Sequence, residues 1–399
     1  MKEFTNFSFH MYTDILFGKN TEKQVGEMIK KYGGTKVMFV YGGGSIKRSG
    51  LYDTIVSALN SENIPFVELP GVQANPRRTL VEQGLKTAKD EGVDFLLGVG
   101  GGSSIDTAKA IALALANDGE YWKFYNGIEP KKMFPVGTIN TIAAAGSETS
   151  QSTVLVDDIE GEGKKGLMWN VCRPLFAIMD PELTYTVDKY QTGAGTSDIF
   201  SHTVMRYFTK PASYLGDQYA EATFRTVAKY GPIAYEKPTD YEARAELMLS
   251  AAFSHNDLTG IGRSSNRRGS EHGLERQLSG RYNTAHGAGL AVVMHSWLQY
   301  LVNHGEDYHV ARVAQFARNV FAVDSSIGDD KAVANEGLVI FRRWLQSIGM
   351  PLTLKELGIP AEDLQSVIDD CIPDEDGEII GFMDLNKDAV REIFTSVVE

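Results

Sequence analysis

Apolar positions in the first half of the chain fall into short unbroken runs separated by longer amphipathic stretches. KVMFVY (36–41), PFVEL (65–69), DFLLGVG (94–100), FPVGTI (134–139) and PLFAIMD (174–180) are compact and rich in Val, Ile, Leu and Phe. Such runs predict strands covered on both faces, as in a parallel sheet. Between them, SGLYDTIVSALNSEN (49–63), TLVEQGLKTAKDEG (79–92) and SIDTAKAIALALAND (104–118) predict helices, so the rhythm is one of parallel βα units. After about residue 190 the pattern changes: apolar residues recur at three- and four-residue spacing through SDIFSHTVMRYFT, YAEATFRTVAKYG, ARAELMLSAAFSHND and AGLAVVMHSWLQYLV. This half reads as helices. A domain boundary is placed at residues 185–192, giving an α/β domain over 1–188 and an all-helical domain over 189–399, with a ligand expected in the cleft between them.

Composition narrows the partners. At 399 residues, 43% hydrophobic and 23% charged, the chain is expected to bury a large core. A formal net charge of −13 argues against a nucleic-acid or anionic-membrane binder. No apolar run reaches the length of a transmembrane helix, and the N-terminus MKEFTNFSFHMYTDILFG has no signal-peptide core, so a cytoplasmic protein is expected. Cys172 and Cys371 stand far apart, with neither a disulfide framework nor a thiolate metal site in prospect.

Two glycine clusters directly follow predicted strands: VYGGGSIKRSG (40–50) and GVGGGSSIDTAKA (98–110). Glycine lets the backbone approach a phosphate closely, and a following helix N-terminus offers free N–H groups. Gly100, Gly101, Gly102 and Ser103 are therefore candidates to hold a pyrophosphate, although the GxGxxG spacing is absent and tight strand-to-helix turns are the alternative. The stretch GGGSIKR offers Ser45, Lys47 and Arg48 and no acid to bond a ribose 2′-hydroxyl, which favours NADP(H) unless Lys47 and Arg48 are simply solvated.

A second constellation lies in the helical half. In GTSDIFSHTVMRYF, Asp198 and His202 stand at i and i+4 on a predicted helix capped near Thr196 or Ser197, so both project from one face. A carboxylate and an imidazole one turn apart can share a divalent ion, but the pair by itself reads first as a chance pair or a helix-surface hydrogen bond. GSEHGLERQLSGRYNTAH (269–286) adds His272 and His286. On one unbroken helix these would lie about 21 Å apart, so they meet only if the chain turns, for which Gly280 to Asn283 is the plausible place. The four residues would then leave room for a substrate oxygen on Fe²⁺ or Zn²⁺. The remaining histidines, at positions 10, 255, 295, 304 and 309, read as structural or exposed, with His255 a possible lining residue of the cleft.

GGGSSIDTAK, TINTIAAAGSETS (138–150), DxxxH at 198–202, and HGAGLA at 286–291 with a histidine fourteen residues before it resemble the iron-containing (group III) alcohol dehydrogenases. The likeness runs through nearly the whole chain, and leans to the branch of NADPH-dependent butanol dehydrogenases and aldehyde reductases. It implies a Rossmann-like dinucleotide-binding domain, a metal-binding helical domain, a homodimer, and hydride transfer between a nicotinamide and a small aldehyde or primary alcohol. The family's metal ligands fall on Asp198, His202, His272 and His286. Its cofactor contacts fall on Gly43, Gly44, Ser45, Asn75, Gly100 to Ser103, Asp106, Thr138, Thr141, Ser147 and Lys164.

There is one departure. Where relatives commonly carry a second histidine four residues after the third ligand, this chain has Arg276, which stays protonated and cannot relay a proton. Arg276 either recognises an anionic substrate group or pairs with a nearby acid. The basic stretch GRSSNRRGSEH (262–272), with Arg267 and Arg268, is expected to line the same cleft. Two alternatives stay open: a related metal-dependent dehydrogenase or lyase acting on a phosphorylated or carboxylated substrate held by Arg276, and a nucleotide-binding regulator without turnover.

Overall fold

In a computed structural model of the chain, residues 6–210, 213–263, 269–372 and 377–399 are described. They form two compact units, one built from His10–Val187 with Ala251–Asn256, the other chiefly from Asp188–Ser250 and Asp257–Glu399.

The first unit is an α/β layer structure around a six-stranded sheet. Its strands are β1 (Asp14–Phe17), β2 (Val37–Tyr41), β3 (Phe66–Leu69), β4 (Phe95–Gly100), β5 (Val136–Asn140) and β8 (Phe176–Met179), in the order β1-β8-β5-β4-β2-β3. Every neighbouring pair is parallel. The central strands explain why: VMFVY of β2 is buried at every position, so both faces need cover, and helices supply it while carrying the chain back to the next parallel strand. Two buried clusters result, one around Met38, Val40, Leu96, Ile111 and Leu113, the other around Val37, Phe39, Phe95, Leu97 and Phe176. All five predicted strands and the three predicted helices are present (helices Leu51–Ser61, Arg78–Glu91 and Gly102–Ala116). Sequence periodicity did not reveal the edge strand β1 or the antiparallel pair β6 (Ser152–Asp157) and β7 (Gly163–Met168). β1 has only four half-buried residues, and β7 (GKKGLM) is largely polar and exposed.

The second unit is helical apart from a two-residue antiparallel ladder, Glu378–Ile379 with Leu385–Asn386. Its core is aromatic: the Phe200 ring lies 4.5 Å from that of Phe224 and 4.6 Å from that of Trp344. Buried charge is balanced within the unit, with Arg312 and Arg263 both on Asp217 and Arg206 on Asp257. Among the described residues no helix is long and apolar enough to cross a membrane.

Candidate active site

The helix carrying Asp198 and His202 runs Lys189–Tyr207, longer than the sequence suggested. Its cap is Asp188, whose carboxylate accepts from Gln191 N, rather than Thr196 or Ser197. Gly193 lies inside this helix, where the close approach of the Ile348 carbonyl oxygen, 2.1 Å from where a Cβ would sit, leaves no space for a side chain. Asp198 and His202 are therefore mid-helix residues. Phe200, between them, anchors the aromatic core, and Arg206 donates to the His202 carbonyl at 2.9 Å.

His272 lies on helix Ser270–Tyr282, which ends at Asn283 in the left-handed conformation (φ 51°). His286 opens the next helix, His286–His304. Asn283 accepts this backbone at less cost than most side chains, and the turn folds the two helices back to back. Gly287 lets the His286 helix close on the Asp198 helix, since a Cβ there would lie 1.8 Å from the Ala194 carbonyl oxygen.

These contacts bring the four residues together. One ligand atom each from Asp198, His202 and His272 lie within 4.8 Å of one another. His202 Nε2 is 3.4 Å and His286 Nε2 3.9 Å from Asp198 Oδ1. The His272 ring centroid is 4.9 Å from that of His202 and 5.3 Å from that of His286. Side-chain exposure rises from 7% at Asp198 and His202 to 17% at His272 and 29% at His286, so the cluster opens on the His286 side. The donor set suits a divalent ion: His272 Nε2 is buried without a hydrogen-bond partner among the described residues, the state of an imidazole nitrogen whose lone pair is meant for a cation.

Two acids missed in the sequence complete the cluster. Glu271 Oε1 is 3.0 Å from His272 Nδ1, and the Glu275 carboxylate contacts His286 Nδ1. Both are fully buried. Helical phase separates Glu275 from its neighbour Arg276: Glu275 is buried and Arg276 is exposed. The signal is EHxxE, an acid beside and another one turn beyond a candidate ligand histidine. Arg276 forms no ion pair among the described residues, and Arg267 and Arg268 lie outside them.

The glycine turn is built from backbone. Gly100, at the end of β4, has φ 139°, a conformation L side chains rarely adopt, and its carbonyl accepts from Thr141 N at 3.0 Å. Gly101 precedes helix Gly102–Ala116 without a side-chain cap, so its first N–H groups and the positive end of its dipole are available to an anion. Gly98 lets this helix pack on the strand, with a Cβ there 3.0 Å from Ile105 Cα.

Other predicted cofactor residues divide into two groups. Lys164 Nζ donates to Asn75 Oδ1 at 3.0 Å, bringing these two together. Asp106 and Ser147 brace the loop: Asp106 accepts from Ser147 Oγ at 2.5 Å and from Val154 N at 3.0 Å. Buried Lys109 donates to the carbonyls of Ser147, Ser150 and Ser152. Burial pulls the Lys109 pKa down to about 8 against the raising pull of Asp106, whose own carboxyl burial pushes up. Thr138 is not brought to the turn: it is fully buried in β5, with its hydroxyl on the Phe176 carbonyl. His255 is likewise buried, with Nδ1 2.5 Å from the Ala145 carbonyl oxygen.

At the first turn, Gly43, Gly44 and Ser45 follow β2 and open the short helix Ser45–Arg48. Lys47 is already engaged, 4.5 Å above the Tyr52 ring and 3.8 Å from Glu68. Glu68, from the neighbouring strand β3, accepts from the Tyr41 and Tyr52 hydroxyls. These hydroxyls and Lys47 hold its carboxyl below the ordinary value despite the opposing effect of burial. The turn thus has an acid nearby that its own residues do not contain; the one clue was a glutamate inside an apolar strand.

A parallel sheet with a phosphate-type turn, followed by a helical unit holding a carboxylate–histidine cluster, defines a two-part architecture of nucleotide-binding and metal-binding kind. Residues 13–181 match the family of iron-containing alcohol dehydrogenases, and residues 192–398 match the C-terminal domain of the Fe-containing alcohol dehydrogenase family. The chain belongs to that family. It is 39% identical over 393 residues to the NADH-dependent butanol dehydrogenase A of Clostridium acetobutylicum, covering 98% of each chain. It is 31% identical over 369 residues to the NADPH-dependent aldehyde reductase YqhD of Escherichia coli, covering 91% of this chain and 92% of that one. A crystal structure of NADH-dependent butanol dehydrogenase A from Thermotoga maritima superposes with a TM-score of 0.93 at 35% identity, covering 100% of both chains.

Proposed function

We propose that the chain is a metal-dependent alcohol dehydrogenase and aldehyde reductase acting on a small aldehyde or primary alcohol such as butyraldehyde and butanol. The observation that carries this reading is the convergence of Asp198, His202, His272 and His286, with His272 Nε2 buried and without a hydrogen-bond partner among the described residues. When bound, a divalent Fe²⁺ or Zn²⁺ and a nicotinamide dinucleotide supply Lewis acidity toward the carbonyl oxygen and a hydride for its carbon. Asp198 and the three histidines would hold the ion, and the open His286 side leaves a position for substrate oxygen. Residues 100–103 would hold the pyrophosphate on backbone N–H groups, with Lys164 and Asn75 a second contact. Arg276 is no proton relay, so the alcohol proton is exchanged through water at the exposed side.

The finer reading of cofactor is a preference for NADP(H), supported by the absence of an acid in residues 42–48. Glu68 beside Lys47 opposes it, and the two relatives above divide on the same point. Comparing kcat/KM for NADPH and NADH tests it; a preference for NADH overturns it. The metal reading is tested by chelation: stripped protein should lose butyraldehyde reduction and regain it with Fe²⁺ or Zn²⁺, whereas full turnover by verified metal-free protein overturns it. A second reading, an anionic substrate, is supported by Arg276 standing exposed without an ion pair among the described residues. It predicts that phosphorylated or carboxylated carbonyls outcompete neutral ones.

A further inference from the structure

We propose that Glu271 and Glu275 are positioning residues of the cluster, holding His272 and His286 by Nδ1 so that both rings present Nε2 to one divalent cation. We further propose that their buried charge couples the stability of the helical unit to that cation. The inference rests on the metal reading above and deepens it.

Three observations point this way. First, each carboxylate meets the Nδ1 side of its histidine, Glu271 by a hydrogen bond to His272 and Glu275 by a close approach to His286, while His286 Nε2 faces Asp198 and His272 Nε2 has no hydrogen-bond partner among the described residues. A carboxylate accepting from Nδ1–H selects the tautomer with its lone pair on Nε2 and raises that nitrogen's basicity. Second, both side chains are fully buried and neither pairs with Lys or Arg among the described residues. Glu271 Oε2 and both carboxylate oxygens of Glu275 have no hydrogen-bond partner among the described residues, the contact of Glu275 with His286 being a close ion-pair approach. Carboxylates with so little compensation are costly inside a protein unless a cation lies close by, and the His cluster is where one would sit.

Third, the backbone makes room for them. A Cβ on Gly289 would lie 2.8 Å from Glu275 Oε1 and 2.9 Å from its Cγ, and one on Gly269 would lie 2.6 Å from Glu271 Oε1. The second glycine of HGAG is thereby explained by the Glu275 side chain, as the first is by the close helix approach at Ala194. Gly280, on the same helix as both glutamates, has nothing within 4 Å and serves as a control.

The test compares wild type with Glu271→Gln, Glu275→Gln, Gly289→Ala and Gly280→Ala, each stripped and titrated with Zn²⁺ alone. Metal affinity is read by chelator competition, and melting temperature with and without Zn²⁺. The two Gln variants should bind Zn²⁺ about 10- to 100-fold more weakly. Stripped, they should melt at or above the wild-type temperature, because a buried charge has been removed, and should gain less from Zn²⁺. Gly289→Ala should also weaken binding, and Gly280→Ala should match wild type. Wild-type Zn²⁺ affinity in Glu275→Gln overturns the inference. So does a stripped melting temperature lowered as much as the metal-bound one, since that marks an ordinary helix brace. Wild-type protein that binds no Zn²⁺ or Fe²⁺ overturns the metal reading itself, a result distinct from both.

Discussion

The turn at residues 98–104 and the cluster around Asp198 lie in different units and present different atoms to a ligand. The turn offers backbone N–H groups from one continuous stretch, with glycines keeping side chains out of the way. The cluster offers side chains from three helices, and Glu271 and Glu275, which contact its histidines, come from the same helix as His272. A backbone site is specified by what is missing from it, a Cβ at the right places. A side-chain site is specified by long-range packing, so it is sensitive to residues that never touch a ligand.

The sharpest way to separate the two is Asp198→Ala. Loss of the only carboxylate among the four proposed ligands should abolish metal retention and lower aldehyde reduction by about 10³-fold or more, given that the Lewis-acid contribution is several kcal/mol. Nicotinamide binding, followed by fluorescence, should be unchanged. If metal content survives the substitution, the cluster is not the metal site.

Buried carboxylates offer the next contrast. Glu148, in the α/β unit, has no hydrogen bond or ion pair to a histidine among the described residues, and burial pushes its pKa up to about 7, outweighing the pull of Lys109 and Asn140. Its folded-state pKa lies above its unfolded value, so the native state holds the proton longer as pH rises. Its contribution is therefore fully present below about pH 4.5 and is lost as pH rises to about 7, on the order of 3 kcal/mol in total. Denaturant unfolding of Glu148→Gln across this range should lack that decline; an identical pH profile in both proteins sinks the assignment.

Gly100→Ala strikes the turn instead. Forcing an L side chain to φ 139°, with a Cβ 2.8 Å from Ser104 Oγ, introduces strain of about 1–3 kcal/mol. Dinucleotide dissociation constants should rise roughly 10- to 100-fold while Zn²⁺ affinity stays at the wild-type value. Equal loss of both would show that the two sites are not independent. The smallest effect is expected at the first turn. Glu68→Gln frees Lys47 from its carboxylate and should shift the NADPH-to-NADH affinity ratio toward NADPH by about 3- to 5-fold, corresponding to about 1 kcal/mol for a partly exposed pair. No shift, or one toward NADH, removes Glu68 from cofactor selection.

The same contrast explains what was legible in the chain. Strands β2, β4, β5 and β8 announce themselves because both their faces are buried and their residues follow one another without a break, and β3 by its short apolar run, although three of its four residues are only half-buried. The four-residue edge strand and the polar β7 give no such pattern, since their stability comes from neighbours distant in sequence. Residue types at positions 198, 202, 272 and 286 suggest a shared ion, but Thr196 and Ser197 are cap-type residues that lie inside the helix, where the Thr196 hydroxyl donates to the Thr192 carbonyl, and Asp188 eight residues earlier is the cap. The resemblance places Thr138 in a cofactor-contacting stretch; strand pairing sets its hydroxyl on the Phe176 carbonyl, a contact no local pattern announces.

By itself, then, the sequence determined the alternation of strands and helices, the change of character near residue 190, and the two glycine turns, all of which rest on short-range periodicity and on glycine's missing Cβ. Only the tertiary structure decided that Glu68 answers Lys47, that Glu275 serves His286 while Arg276 faces outward, and that Gly289 exists to seat a carboxylate. The physical reason is that a hydrogen bond or a close approach depends on the three-dimensional separation of atoms. Residues fourteen or more positions apart acquire that separation only when the helices carrying them have packed.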